Sequence, residues 1–155
     1  MSEPLLMFED FTPRRTFTSA ERQISGEEIV KFAKEFDPQP MHVDEAAGKA
    51  SILGGLSASG WHTSSLAMRL VYDSLLNRTA SEGSPGVDLM EWRKPLLAGD
   101  TIKLEVEVKS GRPLHSKPGL GLIHVEQRLI NQKGQLVMRI ECPIMVRMRS
   151  EENPR

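Results

Sequence analysis

Residues 36–44 read Phe-Asp-Pro-Gln-Pro-Met-His-Val-Asp. Proline fixes its own φ and disfavours helical geometry in the residue before it, so Pro38 and Pro40 predict a stiff, non-helical loop. This loop places a carboxylate, Asp37, and an imidazole, His42, five residues apart. Packing does not require two proton-transferring groups on a rigid loop, whereas acid–base catalysis does. We therefore predict that Asp37 and His42 belong to a catalytic site. The alternative interpretation of Asp37 is a turn carboxylate, since Asp-Pro is common in turns.

The loop lies between predicted helices. Before it, Ser25 and Glu28 have the spacing of a capping box, and an apolar face follows at helical spacing as far as Phe36. After it, residues 44–50 predict a short helix and residues 59–76 predict the longest helix. The longest helix has apolar residues on most of its faces, which is typical of a helix buried by a surrounding sheet.

The second half of the chain has the two-residue alternation of β-strands. Residues 101–109 alternate apolar and charged side chains. Asn131 to Gly134 predict a hairpin turn, and the polar residues 77–86 predict a loop. Further strands are expected at residues 17–24, 87–93, 120–130 and 136–148. This order of elements predicts an α+β fold in which about four antiparallel strands curl around one long helix.

Composition limits the possible partners. The 155 residues are enough for one domain with a core, and the 20 basic and 21 acidic residues give a net charge of −1, which argues against general nucleic-acid binding. No apolar run suits a signal peptide or a membrane span. Cys142 has no partner for an internal disulfide, so a reducing, cytoplasmic compartment is expected. The four histidines lack metal-ligand spacing, so no metal is expected.

Three segments together resemble one protein family. The stretch from Asp37 to His42 resembles the hydratase motif Asp-x-Asn-Pro-aliphatic-His of the MaoC-like dehydratases, also called (R)-specific enoyl-CoA hydratases. Residues 54–60, Gly-Gly-Leu-Ser-Ala-Ser-Gly, resemble the family's turn into its central helix. Residues 95–101, Pro-Leu-Leu-Ala-Gly-Asp-Thr, resemble its Pro-x-x-x-Gly-Asp-Thr turn.

The resemblance covers roughly residues 20–148 and implies the hotdog fold, a curved antiparallel sheet wrapped around a long helix. We expect one hotdog domain over residues 17–149, an extended lead-in over residues 1–16 and a flexible tail over residues 150–155. Because a single hotdog leaves a sheet edge and part of the helix exposed, a homodimer or higher homo-oligomer is also expected.

The resemblance also implies an activity. Asp37 and His42 would hold and activate a water that adds to a trans-2-enoyl-CoA, giving a (3R)-hydroxyacyl-CoA, or catalyse the reverse dehydration. The backbone N–H of Gly60, near the start of the long helix, would stabilise charge on the thioester oxygen, and the missing Cβ would let a thioester approach closely. The acyl-CoA is a substrate, and no cofactor is expected. Gln39 replaces the motif's Asn; its amide would bind substrate or hold the loop or a water on a longer arm.

Two other functions stay open at this point. Other hotdog proteins are acyl-CoA thioesterases, and the replacement of Asn by Gln39 is compatible with a non-catalytic acyl-CoA-binding subunit. The candidates for contacts to the CoA phosphates are Arg93, Lys94, Arg112 and Lys117.

Several polar residues near Gly60 are given a structural interpretation. His62 lies close to the helix start, and we expect it to pack or to form a hydrogen bond there. A run of small hydroxyl residues does not form the Gly-x-Ser-x-Gly pattern of a nucleophilic serine. We therefore interpret these residues as caps and helix-packing side chains: Ser57, Ser59, Thr63, Ser64 and Ser65.

Overall fold

A computed structural model of the chain describes residues 3–149. Within these residues, four α-helices are present: α1 (Gly26–Phe36), α2 (Pro40–Val43), α3 (Glu45–Ala50) and α4 (Gly60–Ser74). The same residues form six strands: β1 (Thr16–Thr18), β2 (Arg22–Gln23), β3 (Leu89–Trp92), β4 (Thr101–Pro113), β5 (Leu120–Asn131) and β6 (Leu136–Arg147). Short 3₁₀ turns lie at Phe8–Asp10 and Leu76–Arg78.

The strands form one antiparallel sheet in the order β1-β4-β5-β6-β3, and β2 also pairs with β4. Strand β4 buries Ile102, Leu104, Val106 and Val108 and directs its charged side chains to the other face, as the alternation predicts. The buried side of α4 joins these residues in a single core. The predicted α+β fold, a curved antiparallel sheet around a long helix, is confirmed.

Helix α1 places Asp37 at its end. The Ser25 hydroxyl accepts a hydrogen bond from the Glu28 N–H at 3.1 Å, and the Glu28 carboxylate accepts one from the Ser25 N–H at 2.9 Å. This confirms the predicted capping box. The helix stops at Phe36, with Asp37 as its C-cap in a non-helical conformation, because the following Pro38 disfavours helical geometry there.

The prediction that residues 36–44 contain no helix is wrong for residues 40–43. Pro40 begins the one-turn helix α2, which carries His42. The first position of a helix needs no N–H, and the fixed φ of proline suits it. Gln39, before Pro40, is extended as expected, with φ −64° and ψ 146°. Pro38 thus ends one helix and Pro40 starts the next.

The N-terminal part of the chain differs from the prediction in two ways. The strand expected at residues 17–24 is split into β1 and β2. Between them, the Ser19 hydroxyl accepts a hydrogen bond from the Leu104 N–H at 2.8 Å, so a side chain takes the place of a backbone carbonyl in the pairing with β4. The lead-in includes a 3₁₀ turn and buries Phe11 in the core, so it is not simply extended. The tail expected at residues 150–155 lies outside the described residues, and the domain boundaries stay predictions.

Helix α4 is less buried than expected. Its inner side packs on the sheet, but Trp61, Met68 and Tyr72 are 61%, 52% and 49% exposed in the single chain. Positions separated by seven and then four residues lie on one side of a helix, so these residues form an apolar stripe on the surface. Within residues 3–149, no helix has the length and apolar character needed to cross a membrane.

Candidate functional site

The candidate site lies where α1, α2 and the segment before α4 meet. This segment is held in place by backbone hydrogen bonds on both sides. The Ser57 N–H donates to the Met41 carbonyl at 3.2 Å, and the Ala58 N–H donates to the Leu96 carbonyl at 2.8 Å. The entrance to α4 is therefore fixed against the helical turn that carries His42 and against the chain that follows β3.

Asp37 is held by two side-chain donors. The Ser59 hydroxyl donates to Asp37 Oδ2 at 2.6 Å, and the Gln39 amide donates to Asp37 Oδ1 at 2.7 Å. These two hydrogen bonds, with that of Ser59 the stronger influence, lower the pKa of Asp37 against the opposing effect of burial. Asp37 is therefore an ionised carboxylate with both oxygens oriented.

His42 is 6% exposed, and its orientation is fixed by the backbone. Its Nδ1 lies 2.6 Å from the Ser57 carbonyl oxygen. Because a carbonyl oxygen only accepts, Nδ1 carries a proton and donates it to this bond. In the neutral ring, Nε2 then has a free lone pair, and it lies 3.6 Å from Asp37 Oδ2.

Two hydrogen-bond acceptors thus face one another across 3.6 Å, which is too far for a normal direct hydrogen bond. A molecule that offers two O–H or N–H groups can bridge a carboxylate oxygen and an imidazole nitrogen. Water is the smallest such molecule. The arrangement of Asp37 and His42 is therefore suited to orienting a water molecule and to moving one of its protons.

The sequence placed Ser57 and Ser59 among caps and packing residues, and for Ser59 this interpretation is wrong. Ser59 occupies the N-cap position of α4, but its side chain makes no capping hydrogen bond. Its hydroxyl instead donates to Asp37, and the carbonyl of Ser57 orients His42. A serine directly before a helix looks like a cap in any sequence, and only the tertiary contact with Asp37 reveals the other role.

Gly60 is the first residue of α4, where backbone N–H groups lack partners within the helix. The structure supplies a further reason for glycine at this position, beside the close approach of a thioester, which stays a prediction. A Cβ on Gly60 would lie 2.7 Å from the Trp92 indole, so the side chain of Trp92 occupies that space. Glycine is needed here for the packing of Trp92 against the start of α4.

A pocket of about 280 Å³ opens beside these groups, and its lining includes His42, Gly60 and Trp92. Arg93 and Lys94 also line it, whereas Arg112 and Lys117 do not. Trp92 pairs through β6 and β5 with the Leu104 part of β4, and Arg112 lies near the other end of that strand. Of the four candidate phosphate contacts, only Arg93 and Lys94 are therefore placed at this pocket.

A second pocket, of about 260 Å³, lies next to the first between α4 and the sheet. Its lining is mainly apolar and includes Met68, Val71 and Ile144. The Trp92 indole N–H donates to the Ser64 hydroxyl at 3.3 Å, which joins β3 to α4 between the two pockets. A residue that lines the first pocket, Trp92, is thus hydrogen-bonded to one that lines the second, Ser64.

His62 packs, as the sequence suggested. Its ring stacks on Phe32 with a centroid distance of 4.6 Å, and its Nδ1 is buried without a hydrogen-bond partner among residues 3–149. Burial lowers the pKa of His62. In the same part of the chain, no group of three or more His, Cys, Asp or Glu side chains is arranged to hold a metal ion.

Comparisons with known proteins agree with this architecture. The model of the family described as "MaoC like domain" matches residues 10–127. The crystal structure of a MaoC-like dehydratase from Rhodospirillum rubrum is 36% identical, with a TM-score of 0.87, over 94% of this chain and 99% of that chain. The unliganded (R)-hydratase PhaJ1 from Pseudomonas aeruginosa has the same fold, with a TM-score of 0.74 and 20% identity over 92% of this chain and 86% of that chain.

An uncharacterised protein of Bacillus subtilis, YdeM, is 28% identical over 142 residues, which is 92% of this chain and 99% of that protein. The resemblance drawn from the three sequence segments is therefore confirmed at the level of family and fold. The roles assigned to Asp37, His42, Gly60 and Gln39 stay predictions.

Proposed function

The chain belongs to the MaoC-like dehydratase family, and on this premise we propose that it is an enoyl-CoA hydratase. It would add water to a trans-2-enoyl-CoA to give a (3R)-hydroxyacyl-CoA, or catalyse the reverse dehydration. The observation that carries the proposal is the pair of acceptors, Asp37 Oδ2 and His42 Nε2, which face each other at 3.6 Å beside a pocket.

In the proposed reaction, the water donates one hydrogen bond to Asp37 and a second hydrogen bond to His42 Nε2. Asp37 has a lowered pKa, so it is a weak base and serves to orient the water. His42 Nε2 takes the proton as the water oxygen bonds to C3, and returns it to C2 of the substrate. One O–H bond of water and the π bond between C2 and C3 are broken, and C3–O and C2–H bonds are formed. The stereochemistry and the order of these steps belong to the proposal.

Charge that develops on the thioester oxygen needs a donor. The proposed donor is the backbone N–H of Gly60, at the positive end of the α4 dipole. As the first N–H of α4, it has no acceptor within the helix. A donor aimed at a forming oxyanion contributes on the order of 3 kcal/mol to lowering a barrier.

The two neighbouring pockets suggest how the rest of the substrate binds. We assign the second pocket to the acyl chain, because its lining is mainly apolar and is joined to that of the first pocket by the hydrogen bond between Trp92 and Ser64. Arg93 and Lys94, at the first pocket, are the favoured contacts for the CoA phosphates.

The proposal includes a second copy of the chain. The exposed stripe of Trp61, Met68 and Tyr72 on α4 reaches β3 through the contact of Trp61 with Trp92. In the described part of the chain, β3 is an edge strand that pairs only with β6. A homodimer that pairs β3 with its counterpart would cover the strand edge and the stripe together. Sedimentation at micromolar concentration is expected to give a mass of at least twice 17.3 kDa, and a monomer would contradict this assembly.

The activity is tested by following the loss of enoyl-thioester absorbance with crotonyl-CoA and longer enoyl-CoAs, and by chiral analysis of the product. Asp37→Ala and His42→Ala are each expected to abolish hydration, whereas Asp44→Ala, which removes a carboxylate that caps α3, is the matched control. Full activity of both site variants would refute the proposed roles. Release of free CoA without hydration would identify a thioesterase, and tight binding without turnover would identify a binding subunit.

A further inference from the structure

Gln127 is a buried amide in a mainly apolar cavity, whose other polar lining side chains are those of Ser64, Ser81 and Ser84. It lies on β5, is 6% exposed, and lines the second pocket together with apolar residues such as Ile140 and Met90. The strand register places Gln127 directly opposite Ile140, which in turn is opposite Met90. An amide among such neighbours is unfavourable unless its hydrogen-bonding groups find partners.

The partners that the chain provides leave most of this amide unused. A glutamine side chain has two N–H donors and a carbonyl oxygen with two lone pairs. Its amide nitrogen donates to Cys142 Sγ at 3.5 Å, and sulfur is a weak acceptor. Burial raises the pKa of the Cys142 thiol to about 11, so this neighbour is uncharged. No residue in the described range 3–149 donates a hydrogen bond to the carbonyl oxygen of Gln127, and this oxygen is not fully enclosed by protein atoms.

We propose that Gln127 makes the second pocket selective for acyl chains that carry a hydroxyl group, which would donate to the free carbonyl oxygen of the amide. The inference rests on the proposed function, because it assumes that this pocket holds the acyl chain. A site built to hydrogen-bond a substrate group discriminates against the analogue that lacks it, since its own buried polar group is then left without a partner.

The charge of the pocket selects a neutral group over an ionised one. In the described part of the chain, no residue that lines the pocket carries a formal charge. A carboxylate on the acyl chain would lose its hydration and gain no counter-charge there, which is far more costly than burying a hydroxyl. Acyl chains ending in a carboxylate are therefore expected to bind less well than hydroxylated chains of the same length.

Binding of unreactive, saturated thioesters tests the inference separately from catalysis. Calorimetry would compare hexanoyl-CoA with its three isomers hydroxylated at C4, C5 or C6, and with adipyl-CoA. We expect at least one hydroxylated isomer to bind about fivefold to tenfold more tightly than hexanoyl-CoA, the range typical of one net hydrogen bond. Adipyl-CoA is expected to bind most weakly.

The variant Gln127→Met keeps an unbranched side chain and removes the amide. It is expected to abolish the advantage of the hydroxylated isomer and to bind hexanoyl-CoA more tightly. The matched control is Gln23→Met, at an exposed amide on β2, which should keep the wild-type preference. Circular dichroism would show whether Gln127→Met is folded. If it is not, Gln127→Leu would be used in its place.

The outcomes separate this inference from the proposed function. The inference about Gln127 is overturned if the wild-type protein shows no preference for a hydroxylated chain. It is also overturned if the preference survives in Gln127→Met, or if the protein binds none of the acyl-CoAs. A Gln127-dependent preference in a protein without hydratase activity would support the pocket assignment and contradict the proposed reaction.

Discussion

Removal of one hydroxyl, in Ser59→Ala, is expected to weaken the proposed catalytic site without touching a reacting group. Ser59 donates to Asp37 Oδ2 at 2.6 Å, and this bond is the largest influence that lowers the pKa of Asp37. A hydrogen bond to a charged group is worth about 1.5–3 kcal/mol. If all of this energy stabilises the transition state through the oriented carboxylate, its loss lowers kcat/KM by about 10- to 100-fold, since 1.36 kcal/mol corresponds to a factor of ten.

The direction of the pH effect follows from the same bond. Without the Ser59 hydroxyl the ionised form of Asp37 is less stabilised, so the pKa of Asp37 rises towards its ordinary value. On acidification, the ionised carboxylate should then be lost at higher pH than in the wild-type protein. The effect on stability has the same cause. In the wild-type protein, ionised Asp37 contributes to the free energy of unfolding above its unfolded-state pKa, and this contribution is lost as pH falls through the lower folded-state pKa. In Ser59→Ala this contribution becomes smaller.

The assay is hydration of an enoyl-CoA measured across pH, with Ser65→Ala as the matched control. Ser65 lies on the exposed side of the same helix and donates only to the Trp61 carbonyl, at 2.8 Å. Ser59→Thr, which retains a hydroxyl, should recover part of the activity. The reasoning is refuted if Ser59→Ala keeps both the wild-type kcat/KM and the wild-type stability in acid.

Three further changes have defined expectations. Gly60→Ala would place a Cβ 2.7 Å from the Trp92 indole, so it should lower the free energy of unfolding, measured in urea, by about 1–3 kcal/mol. Gly86→Ala, with no atom near its Cβ position, is the control and should be nearly neutral. Equal effects of the two changes would contradict this expectation. His62 has a lowered pKa in the folded protein, so as pH falls below about 6.5 the unfolded state takes the proton first and stability declines. His62→Phe should therefore lose stability less steeply than the wild-type protein from about pH 7 to 5. Parallel plots of stability against pH would disprove the buried, neutral state of His62. Burial raises the pKa of the Cys142 thiol to about 11, so alkylation by iodoacetamide at pH 8.5 should be slow in the native protein and fast in urea, and similar rates would contradict the buried, protonated thiol.

The parts of the site that could be predicted from sequence depend on local rules. Pro38 ends α1 and places Asp37 at its terminus because proline acts on the residue next to it. The alternation in β4 identified its buried face because a strand has one period throughout. These features need no knowledge of what packs against them.

The features that could not be predicted depend on contacts between distant residues. Ser59 meets Asp37 across 22 positions of the chain, and nothing local distinguishes it from an ordinary cap. The exposed stripe on α4 has the apolar composition of a buried face, so composition alone could not separate a core contact from a surface that another chain covers. Gln127 lies at a position of β5 whose neighbours are apolar only because of the strand register.

The position of Ser59 links the two halves of the proposed site. A serine before a helix normally accepts a hydrogen bond from one of the first helical amides. Here its hydroxyl donates to Asp37 and makes no capping bond, so the residue directly before the first amide of α4 holds the carboxylate in its ionised form. The hydroxyl that orients Asp37 and the Gly60 N–H that would donate to the thioester oxygen therefore belong to adjacent residues. A change in the backbone at the start of α4 would be expected to displace both together.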